Sequence, residues 1–455
     1  MDETAQRQEN PQVQPQEQGA QEAGAARSRR RRGRLIGCLV PILLVVGAWA
    51  GFRAYWGHKV RGQLDAIRAQ GLPVTLEDLN AWYPTPAGRN AADVYLDAAA
   101  ALVQPEKGEI DLLPLVGNAN PPARGEPMPA EVLAAARALL GKNRQVLGML
   151  HEAAGIEECR YPVDLRHEVP TALLRRLQGL RDAARLLALQ ARALRQEGDT
   201  AGAVGAVADM LALARSLEKE PFLLSQLVRI AIMQMAIRAA EQNVSIAQPP
   251  DGQIAALDDA LRAAEAPDGT WRGFVGERCI GSAVFQGKGF GAELEWPFLF
   301  RALRWTGVRG ADHSAHLRLM SEAMDASREP LPERIRRGRD LEAEFGRLPF
   351  FCLLTKMLLP ATERTISEDC KLLTRVRAAR VGMAVERYRL AHGTLPETLA
   401  DLVPDYLAET PLDPYDGKPL RYKKLEKGYV VYSIGPNDTD DGGDESSDVT
   451  FIVAR

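Results

Sequence analysis

The residue types and spacing with the clearest chemical potential lie late in the sequence. The stretch YSIGPNDTDDGGDESSDVTFIV, residues 432–453, sets two β-prone runs around a loop, and the twelve residues from Asn437 to Asp448 hold six carboxylates. Left alone, such a loop repels its own charge. It therefore calls for a positive partner, or else it is a solvated acidic hairpin.

Other candidate groups are scattered along the chain. His151-Glu152 and His167-Glu168 each begin like a zinc-protease helix, in which two histidines four residues apart share one face. Gly155 and Thr171 stand where the second histidine belongs, so neither pair can present two imidazoles. GKGFG at 287–291 lacks the Lys-Ser/Thr ending of a phosphate loop and reads as a flexible turn. His313 and His316 are one helical turn apart without a nearby acidic or cysteine partner, and they read as a solvated helix face. No Gly-x-Ser-x-Gly elbow occurs. Cys38, Cys159, Cys279, Cys352 and Cys370 are too widely spaced for a zinc site or a disulfide framework. A protein that binds partners is thus the leading expectation. The alternative is an extracytoplasmic hydrolase whose site assembles between distant helices, with His151, Glu152, His167 and Glu168 as first candidates.

The elements that must position these groups begin with a membrane segment. Leu35 to Phe52, LIGCLVPILLVVGAWAGF, is an uncharged run long enough to span most of a bilayer, and Trp49, Tyr55 and Trp56 fall where an aromatic belt belongs. Six arginines between Arg27 and Arg34 precede it and hold that side in the cytoplasm, placing the rest of the chain outside the inner membrane. Cleavage at Ala48-Trp49-Ala50 is the competing reading; the long tail before the run favours an uncleaved anchor. Leu-Ile-Gly-Cys38 is no lipoprotein box, because its apolar region follows the cysteine. Residues 1–26, rich in Gln, Glu, Ala and Pro, bury too little surface to fold. A net charge of −3 over 455 residues gives no general attraction to nucleic acid, and the local basic block is accounted for by the membrane.

The middle of the chain is helical. Leu173, Leu177, Leu180, Ala184, Leu187, Ala191 and Leu194 lay one apolar stripe along a helix that stops at Gly198. Asp199 or Thr200 caps a second helix, making an antiparallel hairpin, and its EGDTAGAVGAVADMLALA is similar to a single tetratricopeptide unit. A third helix after Pro221 is apolar on nearly every side and belongs at the centre of the bundle. Further helices are expected at 130–153, 251–265, 313–324 and 332–348. The expected organisation is mainly α: a disordered basic cytoplasmic tail over 1–34, a single transmembrane helix over 35–56, and an irregular, solenoid-like α-helical domain over 57–370. An α+β module with a three-stranded antiparallel sheet follows over 371–455.

That last module resembles the globular part of the major pseudopilin of type II secretion systems. The resemblance is carried by Tyr388, Gly393, Pro396 and Leu402 at a helix exit, by Pro411, Asp413, Pro414, Tyr415, Gly417, Pro419 and Tyr422 at a first hairpin, and by Tyr432, Ser433, Gly435, Gly442, Gly443 and Asp448 around the acidic loop. It implies calcium at that loop, a hard cation that takes oxygen ligands. The implied ligands are Asn437, Asp438, Asp441, Asp444 and Asp448. Asn437 stands where the family usually has Asp and Ser446 replaces another acid, with Asp438, Asp440, Asp441 and Asp444 available to compensate. The family's leader pattern is missing: Gly33 is followed by Arg34, and Cys38 occupies the place of the glutamate that directs filament assembly. The resemblance therefore implies partners among secretion or pilus-like components without ordinary filament formation.

Overall fold

The structure, a computed structural model, describes residues 15–163, 170–265, 268–288, 306–359 and 362–454. They fall into two compact units: one holds the residues up to Arg61 with a short piece ending at Ala311, and the other holds the remainder.

In the first unit a helix begins at Pro15 and runs without interruption to Ala69, past the unit's end. This departs from the expected disordered tail: Gln, Glu, Ala and Arg are good helix formers and continue the apolar helix backwards. Val40–Ala69 is long and apolar enough to cross a bilayer, and none of its apolar window is buried. Leu44 and Val45 are 68% and 69% exposed. Within the helix Arg53 lies over the Trp49 ring and Lys59 over that of Trp56. A Cβ on Gly310 would sit 2.9 Å from the Trp56 Cβ, so only glycine lets the two backbones approach there.

The second unit is built around the helix Leu223–Ile246. It too is apolar enough to span a membrane, but most of it is buried inside protein, and it is the core helix the sequence suggested. The hairpin that precedes it forms as expected: helix Pro170–Gln196, a turn with Gly198 at φ +84°, and helix Thr200–Ser216. Asp199 is the cap, its carboxylate accepting from the Gly202 amide at 2.8 Å. The expected helices at 130–153 and 251–265 are present, the first divided at Asn143 into Ala130–Lys142 and Arg144–Ala154. Those expected at 313–324 and 332–348 are Val308–Arg328 and Leu331–Gly346. Gly269–Gln286, not among the helices expected from the sequence, is a buried helix.

The C-terminal module follows its predicted order. Its helix starts at Thr362 rather than Lys371 and ends at His392, where Gly393 turns the chain with φ +75°. A short 3-10 turn Leu399–Leu402 leads to strands β1 (Arg421–Leu425), β2 (Gly428–Ser433) and β3 (Val449–Ala454). The sheet is antiparallel in the order β1-β2-β3. Tyr429, Val431, Phe451 and Val453 alternate onto the face that meets the helix. One apolar core joins this face to the bundle, running from Leu180 and Ile232 through Leu257 and Val381 to Phe451.

Two polar devices lock the module to the central helix. On the outer edge of β3, the Ile452 amide donates to Glu241 Oε1 at 2.5 Å and the Ala454 amide to Ser245 Oγ at 3.4 Å. Four residues of helix advance about 6 Å and two residues of strand about 6.6 Å, so a helix i, i+4 pair matches a strand i, i+2 pair. Deeper in, Asp369 of the long C-terminal helix accepts from Arg229 of the central helix at 3.4 Å and from Arg334 at 3.0 Å. All three side chains are buried, and Gln226 Oε1 accepts a hydrogen bond from Arg229 Nε–H at 2.8 Å. A buried charge keeps its place only when paired and hydrogen-bonded in this way.

Candidate functional site

The acidic loop leaves β2 through Gly435–Asn437 and returns at Val449. Its charges already have partners. Arg339 donates to Asp438 Oδ2 at 3.2 Å, Arg421 to Asp440 Oδ2 at 3.2 Å, and Arg124 to Glu445 Oε2 at 3.0 Å. Arg421 also reaches Asp413 at 2.5 Å and Asp416, while Arg124 bridges to Glu241 at 3.3 Å. Three arginines distant in sequence thus surround the loop.

The remaining acids turn on the loop's own donors. Asp448 is buried and accepts from the Gly443 amide at 2.7 Å and, more loosely, from Asp441 N–H at 3.5 Å. Its pKa is raised by burial, the two amides opposing, with Asp441 and Asp440 adding repulsion. Asp444 accepts from Ser446 N–H at 2.8 Å and from its hydroxyl, which lowers its pKa. Asn437 donates to Asp441 Oδ2 at 2.8 Å. Asp440 is held down chiefly by the Gly442 amide, with Arg421 assisting. The donor atoms are the oxygens a calcium ion takes, yet here they are engaged with arginines and amides. No three His, Cys, Asp or Glu side chains gather at metal-binding spacing among the described residues.

Asp413 is the buried hub beneath the loop. It accepts from Ser433 Oγ at 2.7 Å, Tyr415 N–H at 2.9 Å and Ile434 N–H at 3.0 Å, besides Arg421. Four donors to one carboxylate fix the junction of the first hairpin with β2.

The histidine and acid candidates do not converge. His167 and Glu168 lie outside the described residues. Glu152 pairs with Arg89, away from its neighbour's partner. His151 instead places Nδ1 3.1 Å from Oδ2 of Asp209. Asp209 is buried, which raises its pKa, and His151 partly offsets the rise. The pair borders a groove of about 710 Å³ also lined by Gly148, Gly202, Gly205, Arg137 and Arg144. No serine, threonine or cysteine lines it among the described residues.

The expectation for His313 and His316 is corrected. Both are buried, not solvated. His313 Nε2 lies 2.9 Å from Ser282 Oγ, and its ring stacks on Phe285 at 4.7 Å. The His316 ring fills the space left by Gly281, where a Cβ would come within 2.2 Å of Nε2. Burial pushes its pKa down to about 4, so it is a neutral packing group. Gly287, at φ +72°, caps the helix before it, and 289–291 of GKGFG lie outside the described residues. Cys159, Cys279, Cys352 and Cys370 are free thiols. Burial pushes Cys159, Cys279 and Cys370 up to about 12 and Cys352 up to about 11, so none is a ready nucleophile.

Glu241, Asp209 and the three arginines around the acidic loop went unmarked in the sequence. For Glu241 a signal existed: one carboxylate in a helix otherwise apolar on almost every face. No protein-family model, curated protein or solved structure significantly matches the chain.

Proposed function

We propose that the chain is a single-pass, membrane-anchored envelope protein that binds protein partners through its extracytoplasmic helical body and pseudopilin-like C-terminal module. The observation that supports it best is the apolar helix from Val40, whose apolar window is unburied and which an arginine block precedes, in contrast to a second equally apolar helix that the protein does bury. Arginines before the segment favour a cytoplasmic N-terminus in the inner membrane. Secretion or pilus-like components are the proposed partners, on the strength of the quoted C-terminal residues. Calcium at Asp438, Asp441, Asp444 and Asp448 is proposed with them, and it requires Asp448 to exchange amide donors for the ion. Protease added to intact spheroplasts tests the topology: it degrades the body and spares the tail. Protection of the body refutes the orientation.

The hydrolase reading is supported by one observation, the His151–Asp209 pair in the lining of a groove. An imidazole held by a buried carboxylate is suited to activating water. His151→Asn abolishes any hydrolysis found with the purified chain if this reading holds; unchanged turnover removes it.

A further inference from the structure

We infer that the segment from Gly346 to Leu359 is a second, interfacial membrane contact, which sits on the lipid surface and admits an acyl chain of an anionic phospholipid to the pocket at its base. Three observations carry this. First, the segment, GRLPFFCLLTKMLL, exposes apolar side chains that a folded protein ordinarily hides: Phe350 is 88% exposed, and Phe351, Leu353 and Met357 are exposed with it. Single exposed hydrophobes need no explanation, but four in eight residues form a patch. The short helix Leu353–Leu358 that presents it is held firmly, because Asp312 accepts from the Leu354 and Thr355 amides at 2.9 and 3.1 Å.

Second, the segment ends at a pocket that the residue just before it also lines. Phe345 and Leu359 line it together with Leu319 and Leu341, giving an apolar cavity of about 370 Å³ with Arg364 and Thr362 among its polar lining. That size lies in the range of small-ligand sites, and an apolar wall with few polar groups suits a hydrocarbon chain with a charged head.

Third, the charge and the tether fit a bilayer. Arg347 and Lys356 lie in the apolar segment and Arg364 just beyond it, the arrangement by which an interfacial element pairs apolar side chains with anionic headgroups. Glu342 is the one acid lining the pocket among the described residues. Ser314, two residues after the capping Asp312, accepts from Gln63 through its carbonyl at 3.2 Å. Gln63 is only eleven residues beyond Phe52, the end of the apolar run, so a chain anchored there has a bilayer within reach. The inference rests on the anchored reading in this respect.

The test reconstitutes the full chain, carrying benzoylphenylalanine at Phe350, into vesicles with and without phosphatidylglycerol. Leu425, an exposed apolar residue on β1, carries the photoprobe as control. Illumination is expected to add the mass of a phospholipid at 350 and not at 425. Lys356→Gln is expected to lower the yield by up to about fivefold in the phosphatidylglycerol vesicles, the loss of ~1 kcal/mol of attraction for one basic group near an anionic surface. If the chain floats with vesicles but 350 gives no lipid adduct, the same yield as 425, or an adduct to protein, the second contact is overturned while the anchor stands. If the chain does not float at all, both are overturned.

Discussion

Glu241→Gln is the perturbation that most directly probes how the C-terminal module is joined to the bundle. Burial raises the Glu241 pKa from 4.5 to about 7, against the attraction of Arg124 and the Ile452 amide and with the charge of Glu445 adding to the rise. Arg238 also attracts the carboxylate, and Arg375 lies close enough to feel it. A carboxyl with a raised folded-state pKa favours folding while protonated. Its contribution is complete below pH 4.5 and is lost as the pH rises toward 7, because there the folded state holds a proton that the unfolded chain has released. At about 1.4 kcal/mol per pH unit, the interval sums to roughly 3 kcal/mol. Glutamine mimics the protonated acid and can still accept from the Ile452 amide, but it does not titrate. Urea unfolding of the full chain in detergent, followed between pH 5 and 8, should show the two proteins nearly matched at the acid end. Above pH 7 the variant should be the more stable by most of that 3 kcal/mol. Subtracting the profiles cancels every other titration, so parallel curves would refute the reasoning.

Asp369→Ala leaves the buried Arg229 without its anion and is expected to cost about 3–5 kcal/mol in the same unfolding assay, whereas a surface aspartate such as Asp65 is expected to cost little. Gly382→Ala drives a Cβ to 2.3 Å from the Phe451 ring; repacking should cost about 1–3 kcal/mol and broaden the resonances of β3. If calcium enters the acidic loop, melting temperature rises with free calcium, by the equivalent of about 2.7 kcal/mol at a hundredfold excess over Kd, and Asp448→Ala removes the rise. A response no greater than that to magnesium sinks the proposal.

The helices were legible wherever a stripe of one period ran long enough to declare a buried face, as from Leu173 to Leu194. Strands β2 and β3 were legible because each is short and rich in β-branched and aromatic residues, with Gly428 opening β2. His313 and His316 were misread for a reason that lies elsewhere in the chain: what covers them is Gly281, Ser282 and Phe285, on a helix that glycine and tryptophan disguise. The acidic loop was marked as needing a positive partner, but Arg124, Arg339 and Arg421 stand in three separate segments. Spacing along a chain cannot show which of 57 basic residues will be folded against one loop.

The two borders of the small sheet are treated in opposite ways. Along β3 the Ile452 and Ala454 amides are engaged by a helix of the same chain, while β1 offers its free border with Lys423 and Lys424 exposed on it. A strand from a second molecule would find two β3 amides already engaged on one side and two lysines on the other. Both borders of the sheet are thereby disfavoured for further pairing. Copies of this protein held at high local concentration can then lie side by side without their C-terminal modules stitching into a common β-structure.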